Sequence, residues 1–404
     1  MPETVDICIV DICIVGAGPV GGTLACLLAQ AGIRVAIVDQ APLPPMEHPD
    51  FDGRAYAIAA GSRAVLESAG LWDRLPYPPG PIEAIRVSDG RLGRPASRLH
   101  LHFDAADADA GPFGHMVEAR SLRMALNAAL AADPTIRLFA PAESKIDRTP
   151  EGATIQIKDG PTIQARLVVA AEGRGSPLRT AAGIPVTHLP YRQTGLVCAI
   201  AHTHPHNGTA LEHFLPGGPF AQLPMHDTTD GQHISAIVWT ERTPLAQRFL
   251  HADDASFTAE LSRRLGPHLG AIKLIGRRWS YPLAAMLVHR YHDTRLALVG
   301  DAAHGIHPIA GQGLNLGFRD IEALTRLLTE AAATSADPGA TALLRRYQAQ
   351  RRPANLAMFA ATDALDRLFS NDSAPVRLAR DLGIAMVDHM PRLKRMFMRQ
   401  AMGV

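Results

Sequence analysis

The stretch DICIVGAGPVGGTLACLLAQAGIRVAIVD, Asp11 to Asp39, holds a strand, a glycine turn, a helix, a second strand and an acid in that order. DICIV alternates and is rich in β-branched residues, which suits a buried strand running into the turn. Gly16 permits the tight turn, Gly18 lets the backbone approach a diphosphate, and Gly21 allows helix to pack closely on strand. The helix, from about Pro19 to Ala31, would aim its N-terminal amides and roughly half a positive charge at that diphosphate. Asp39 ends the second strand where a dinucleotide fold places the acceptor for a ribose hydroxyl. The competing reading is a βαβ unit whose glycines serve turns only.

DICIV occurs twice in tandem, at Asp6 to Val10 and at Asp11 to Val15, and only the second copy abuts the turn. Side chains alternate with period two, so an offset of five residues reverses which of them face each side of the sheet. The second copy is therefore expected to be the strand, with the first an edge extension or a frayed arm.

Far downstream lies GDAAHGIHPIAGQGLNLGFRD, Gly300 to Asp320, preceded by the apolar strand Arg295 to Val299. Two distant nucleotide-type motifs imply one long, folded-back cofactor, which points to FAD rather than to NAD alone. Asp301, at the end of a buried strand, would accept from a ribityl or ribose hydroxyl. Pro308 stiffens the loop, and Gly311 and Gly313 flank Gln312 so that a planar ring can lie against the backbone. Leu314 and Asn315 open the next helix, whose amides would stabilise negative charge on the pyrimidine end of a reduced flavin. His304 and His307 lie in this loop with no carboxylate partner visible in the sequence, so they read as structural.

The chain has 404 residues with 47% hydrophobic content, enough for a large core and two domains with a C-terminal appendage. Net charge is +1 with Lys and Arg dispersed, which gives no basic patch for nucleic acid and no strong pull toward anionic lipid. The cysteines Cys8, Cys13, Cys26 and Cys198 show no CxxC spacing, consistent with a reducing cytoplasm. No cationic leader is evident, and no segment approaches the roughly 20 apolar residues of a membrane span. His202, His204 and His206 alternate; a metal site on one strand face competes with a solvated strand end, and Pro205 favours the latter. No metal is expected.

Outward from the motifs, GRAYAIAAGSRAVLESAGLW (Gly53 to Trp72) holds apolar positions at helical spacing from Ile58 onward, with Arg54 just before it. AIRVSDG and RLHLHFD alternate like strands of a second domain, and VEARSLRMALNAALAA (Val117 to Ala132) returns to helix with Arg120 at its start. TIQARLVVAAEG reads as a central buried strand ending at Glu172 and Gly173, and Thr194 to Glu241 as the substrate sheet. The expected fold is α/β: a Rossmann-like FAD-binding domain with an inserted mixed β-sheet substrate domain and a helical C-terminus. The FAD-binding parts are expected at 1–75, 105–182 and 286–355, the substrate parts at 76–104 and 183–285, and a helical segment at 356–404.

GAGPVG, DGRAYAIAAGS, VEARSLRMAL, LVVAAEGRGSPLR and GDAAHGIHPIAGQGLNLGFRD together resemble the class A flavoprotein monooxygenases of the p-hydroxybenzoate-hydroxylase fold, nearly end to end. Within that class, RAYAIAAGSRAVLESAGLW, FLPGGPFAQLPM (Phe214 to Met225) and the closing AMG are similar to the ubiquinone-biosynthesis hydroxylases. The resemblance implies that Gly16, Gly18 and Gly21 hold the FAD diphosphate and Asp39 the adenosine ribose. It implies Arg54 and Arg120 near the pyrophosphate, Asp301 at the ribityl chain, and Pro308 with Gly311 to Asn315 along the isoalloxazine. A family DG pair serves FAD and the nicotinamide donor; here it reads Glu172 and Gly173, one methylene longer.

The implied reaction is aromatic hydroxylation with NAD(P)H as electron donor and O2 as oxygen source, without a metal, in a site shielded from water by a lid or a mobile flavin. No acid or base is identifiable from the sequence. The implied substrate is a polyprenylated phenol, each five-carbon unit of which prefers lipid by roughly 4 kcal/mol. Such a substrate calls for an apolar tunnel, a peripheral contact at the inner face of the membrane, or a biosynthetic protein complex. The C-terminal stretch with Arg392, Lys394, Arg395 and Arg399 suits a membrane- or partner-binding helix as well as ordinary packing. Two alternatives remain: a hydroxylase of a small soluble aromatic, which would need a buried Arg for an acid, and a non-catalytic flavoprotein scaffold.

Overall fold

The computed structural model describes residues 7–43, 52–90, 100–108, 111–369 and 390–403. The strand Ile7–Val15 lies between Thr162–Ala170 and Val35–Val38, parallel to both. Leu296–Leu298 and Ile136–Phe139 extend this parallel set at either side, and His292–Asp293 adds an antiparallel edge. Strands buried on both faces need no alternation, and LVVA at Leu167–Ala170 is buried throughout. Helices Pro19–Gln30, Ala119–Ala132 and Gln312–Ala333 cover the sheet and share its core.

From Ile7 onward both DICIV copies lie in one nine-residue strand, in register with its neighbour from Ile7 opposite Thr162 to Val15 opposite Ala170. The first copy is thus a paired extension. Its isoleucines Ile7 and Ile9 are 57% and 63% exposed, whereas the equivalent Ile12 and Ile14 are at 0%. Asp11 pairs with Arg34 at 3.0 Å, which holds its carboxyl below the usual range. Asp6 lies outside the described residues.

The second large sheet has eight strands: His304–Gly305, Ile272–Val288, Val186–His202, His233–Arg242, Gly218–Pro224, Thr209–Leu215, Ala84–Asp89 and His100–Asp104, in that spatial order. It is mixed, because Thr209–Leu215 runs parallel to Ala84–Asp89 while the other pairings are antiparallel. One face packs Phe220 and Trp239 against Phe257 and Leu261 of the helix Asp254–Leu265. Arg264 is buried there, 3.8 Å from the Trp239 ring centroid and paired with Glu260 at 2.6 Å. The opposite face looks toward the first sheet across a cavity.

A small third sheet corrects one expectation. Ala55–Ala59 is a strand paired with Gly114–Glu118, and the helix begins only at Ala60. The expected loop before Ile58 is instead a strand, and only Ile58 and Ala59 depart from the expected helix. The Asn315 side chain, from a distant helix, takes up this strand's backbone groups, accepting from Ala59 N at 2.9 Å and donating to Ala57 O at 2.9 Å. The terminal helix Pro391–Met402 buries Met398 and Met402 against Ile82, Phe113 and Met225.

Candidate active site

Between the two large sheets lies a cavity of about 1540 Å³, beyond the roughly 300–1,000 Å³ usual for one small ligand. Its first wall is the glycine turn. Gly16 sits at φ +107° with its amide on Val38 O, and a Cβ there would run into the Ala171 carbonyl. Gly21 packs against Gly16, whereas the space beside Gly18 is open toward the cavity. Asp39 accepts from Ala17 N at 2.7 Å and Ala41 N at 2.9 Å, so the acid is clamped beside the turn. Arg123 donates to Ala17 O at 2.7 Å, a contribution with no motif to announce it.

Glu172, Gly173 and Asp301 line the next stretch of wall. Glu172 is hydrogen-bonded to Ser176 Oγ and, at 3.4 Å, to Leu178 N; burial raises its pKa while these donors oppose the shift. Asp301 pairs with Arg174 at 3.0 Å, both half-exposed. Pro308, Gly311, Gly313, Leu314 and Asn315 complete this side. Asn315 also donates to Gly311 O at 3.1 Å, which ties the loop to the strand Ala55–Ala59.

Beneath this wall is a buried polar cluster. Asp320 accepts from Gly300 N at 3.1 Å, contacts His304 Nε2 at 2.5 Å, and accepts from Arg351 at 2.8 Å and Asn355 at 3.0 Å. Burial alone would raise its pKa, but the His304 and Arg351 charges pull it below the ordinary value. His304 therefore has a carboxylate partner, contrary to expectation, supplied just over two turns into the helix Gln312–Ala333. His307 is also buried, with Gln193 Oε1 at 3.3 Å and Asp366 at 3.5 Å, and burial lowers its pKa.

Arg54 and Arg120 are not brought to the cavity. Arg54 pairs with Asp52 at 2.6 Å and lies over Trp279, while Arg120 pairs with Glu118 at 2.5 Å over Tyr77. In each case the arginine is held by a carboxylate two residues before it in the chain. His202 is buried rather than solvated, bridging His204 O at 2.8 Å and Ser235 Oγ at 2.9 Å, and His206 Nε2 is 2.9 Å from Met225 O. These are structural contacts at a strand end.

The remaining wall belongs to the second sheet and is apolar, with Leu101, Phe103, Val87, Phe214, Ala221 and Val238 among its residues. The one ionisable side chain among the described residues of this wall is Glu212. FAD fits the other half. Gly18 and Gly313 leave open space where a side chain would stand, the helix Pro19–Gln30 presents its N-terminus, and Asp39 and Asp301 offer acceptors at separate points. Bound there, FAD supplies the redox chemistry; the protein supplies position and a dry wall.

Comparison with known proteins agrees with this geometry. A family described as FAD binding domain matches residues 9–362. The ubiquinone hydroxylase UbiL of Rhodospirillum rubrum is 49% identical, over 98% of this chain and 90% of that protein. The 3-demethoxyubiquinol 3-hydroxylase of Escherichia coli is 33% identical, over 98% of each. Among solved structures, PqsL from P. aeruginosa, in complex with 2-aminobenzoylacetate, superposes with a TM-score of 0.75 at 24% identity, covering 93% of this chain and 99% of that one. The p-nitrophenol 4-monooxygenase PnpA from Pseudomonas putida superposes at 0.76 with 17% identity over 98% of both chains, which speaks to the fold. With the α/β architecture, the two-part cavity and these relatives in agreement, the chain belongs to the ubiquinone-biosynthesis hydroxylase family of FAD-dependent monooxygenases.

Proposed function

We propose that this protein hydroxylates the ring of a polyprenylated phenol or quinol intermediate of ubiquinone biosynthesis, using NAD(P)H and O2. The observation that carries the substrate class is the apolar second-sheet wall, which has no Arg or Lys among its described residues. A small aromatic acid would bury its carboxylate without a counter-ion there, at a cost of several kcal/mol. A neutral ring with an isoprenoid tail instead gains roughly 25 cal/mol for each Å² it removes from water. Gly16, Gly18 and Gly21 are assigned to the diphosphate end of FAD, Asp39 to the ribose, Asp301 to the ribityl chain, and the Pro308 to Asn315 loop to the ring. Deletion of the gene is expected to accumulate a polyprenylphenol lacking one oxygen, detected by mass spectrometry of the quinone lipids. Unchanged ubiquinone with no new intermediate, in a strain lacking a second hydroxylase, would sink the reading.

A substrate this apolar resides in the bilayer, so we assign peripheral membrane contact to the terminal helix, where Met396 and the N-cap Met390 are exposed and Lys394 lies on the same helix as Met396. No helix among the described residues is long and apolar enough to cross a membrane. Pelleting with phosphatidylglycerol-containing vesicles is expected to fall in Met396→Asp; equal pelleting of both forms would instead favour delivery within a protein complex.

A further inference from the structure

Six strands of the second sheet place one residue each in a row across the cavity wall: Leu101, Val87, Glu212, Ala221, Val238 and Val197, each register-paired with the next. All six line the cavity, and five are aliphatic. Glu212 stands within this row with no hydrogen-bond or ion-pair partner among the described residues. The cavity's other ionisable side chains, Asp39, Tyr56, Lys145, Glu172, Arg174 and Asp301, all come from elements outside this sheet. A lone carboxylate in an aliphatic wall is costly, and nothing in the fold uses it.

The geometry points to Glu212 as the general base that takes the proton of the substrate's ring hydroxyl during hydroxylation. This rests on the phenolic substrate proposed above. The hydroxyl donates a hydrogen bond to the carboxylate. As the ring carbon's electron pair forms the new bond to the outer oxygen of the reduced O2, the O–O bond breaks with its electron pair on the other oxygen, which takes up a proton and ends as water. The hydroxyl O–H bond breaks, its electrons become the second C–O bond of a dienone, and its proton passes to Glu212. When the ring regains aromaticity, the carbon-bound hydrogen leaves as a proton to water and Glu212 returns its own to the carbonyl oxygen. The carboxylate ends as it began, and no further oxidant or reductant is required. The Glu212 surface that remains accessible faces the cavity, and burial in the interior pushes its pKa up to about 7, which suits a base working near neutral pH.

The test uses the FAD-loaded enzyme with 2-prenylphenol and its methyl ether, which has no proton to give. For the phenol, wild-type kcat/KM is expected to rise with pH through about 7. Glu212→Gln should lower it by about 10²–10⁴-fold and remove that rise, while Glu212→Asp restores part of both. Turnover of the ether should be alike in wild type and Glu212→Gln. Retention of the wild-type rate and pH profile by Glu212→Gln, or an equal loss with the ether, overturns the assignment. Binding provides a readout independent of turnover, followed through flavin absorbance. Wild type should prefer phenol to ether by about tenfold above pH 7, and Glu212→Leu should abolish the preference. Equal wild-type affinity for both overturns the role of Glu212. A wild-type enzyme that hydroxylates neither compound but keeps the binding preference sinks the substrate reading alone.

Discussion

Gly21→Ala is expected to purify with less than about a tenth of the wild-type flavin and with a lowered melting temperature. The added Cβ would lie well inside 3.0 Å of the Gly16 carbonyl oxygen and within van der Waals overlap of Ala171. Both obstacles are backbone or Cβ atoms, with no flexible side chain to swing away, so the helix Pro19–Gln30 must lift from the sheet. Overpacking of this kind costs about 1–3 kcal/mol, and the same movement withdraws the helix amides from the diphosphate. Gly18→Ala provides the contrast, because its Cβ would meet nothing within 4 Å in the protein. It should leave the apoprotein's melting temperature unchanged and weaken FAD alone. Fluorescence titration of FAD together with apoprotein melting separates the two, and equal melting losses in both variants would contradict this assignment.

Asp320→Ala should be the most destabilising of the side-chain truncations near the site, by about 3–5 kcal/mol in chemical denaturation, because it strands the buried Arg351 without a counter-ion. Asp320→Asn keeps the shape and should cost less. The pH dependence has a definite sign. With its folded pKa below the ordinary 3.8, the carboxylate contributes stability that is fully present above that value and lost as pH falls through the folded pKa. The gap between wild type and Asp320→Asn should therefore narrow below about pH 4, and a gap independent of pH would remove the ionised carboxylate from the account. Since Gly300 N hangs on the same carboxylate, FAD affinity should fall in both variants through displacement of Asp301.

The βαβ unit at Asp11 to Asp39 and the loop at Gly300 to Asn315 were legible because their glycines, acids and apolar runs fall at spacings that few other structures require. The strand Ala55–Ala59 was not: it is specified by Asn315, more than two hundred residues away, and local spacing carries no trace of that. Arg54 and Arg120 illustrate a related limit. A motif places an arginine, but its pairing with an acid at i−2, Asp52 or Glu118, is visible only in the folded chain. Glu212 could be seen only in the folded sheet, where Val87 and Ala221 on the flanking strands and the rest of its row give it aliphatic neighbours.

The doubled pentapeptide at the start of the chain shows how this sheet keeps its phase. The glycine turn anchors the strand at its C-terminal end, so facing is counted backward from Gly16, and whatever is added upstream inherits the phase it lands in. The upstream isoleucines land out of phase and meet solvent without disturbing a single buried position beyond them. An odd-length insertion, disruptive between two anchors, is silent on the free side of one, which makes the outer end of this strand a natural place to lengthen or tag the protein.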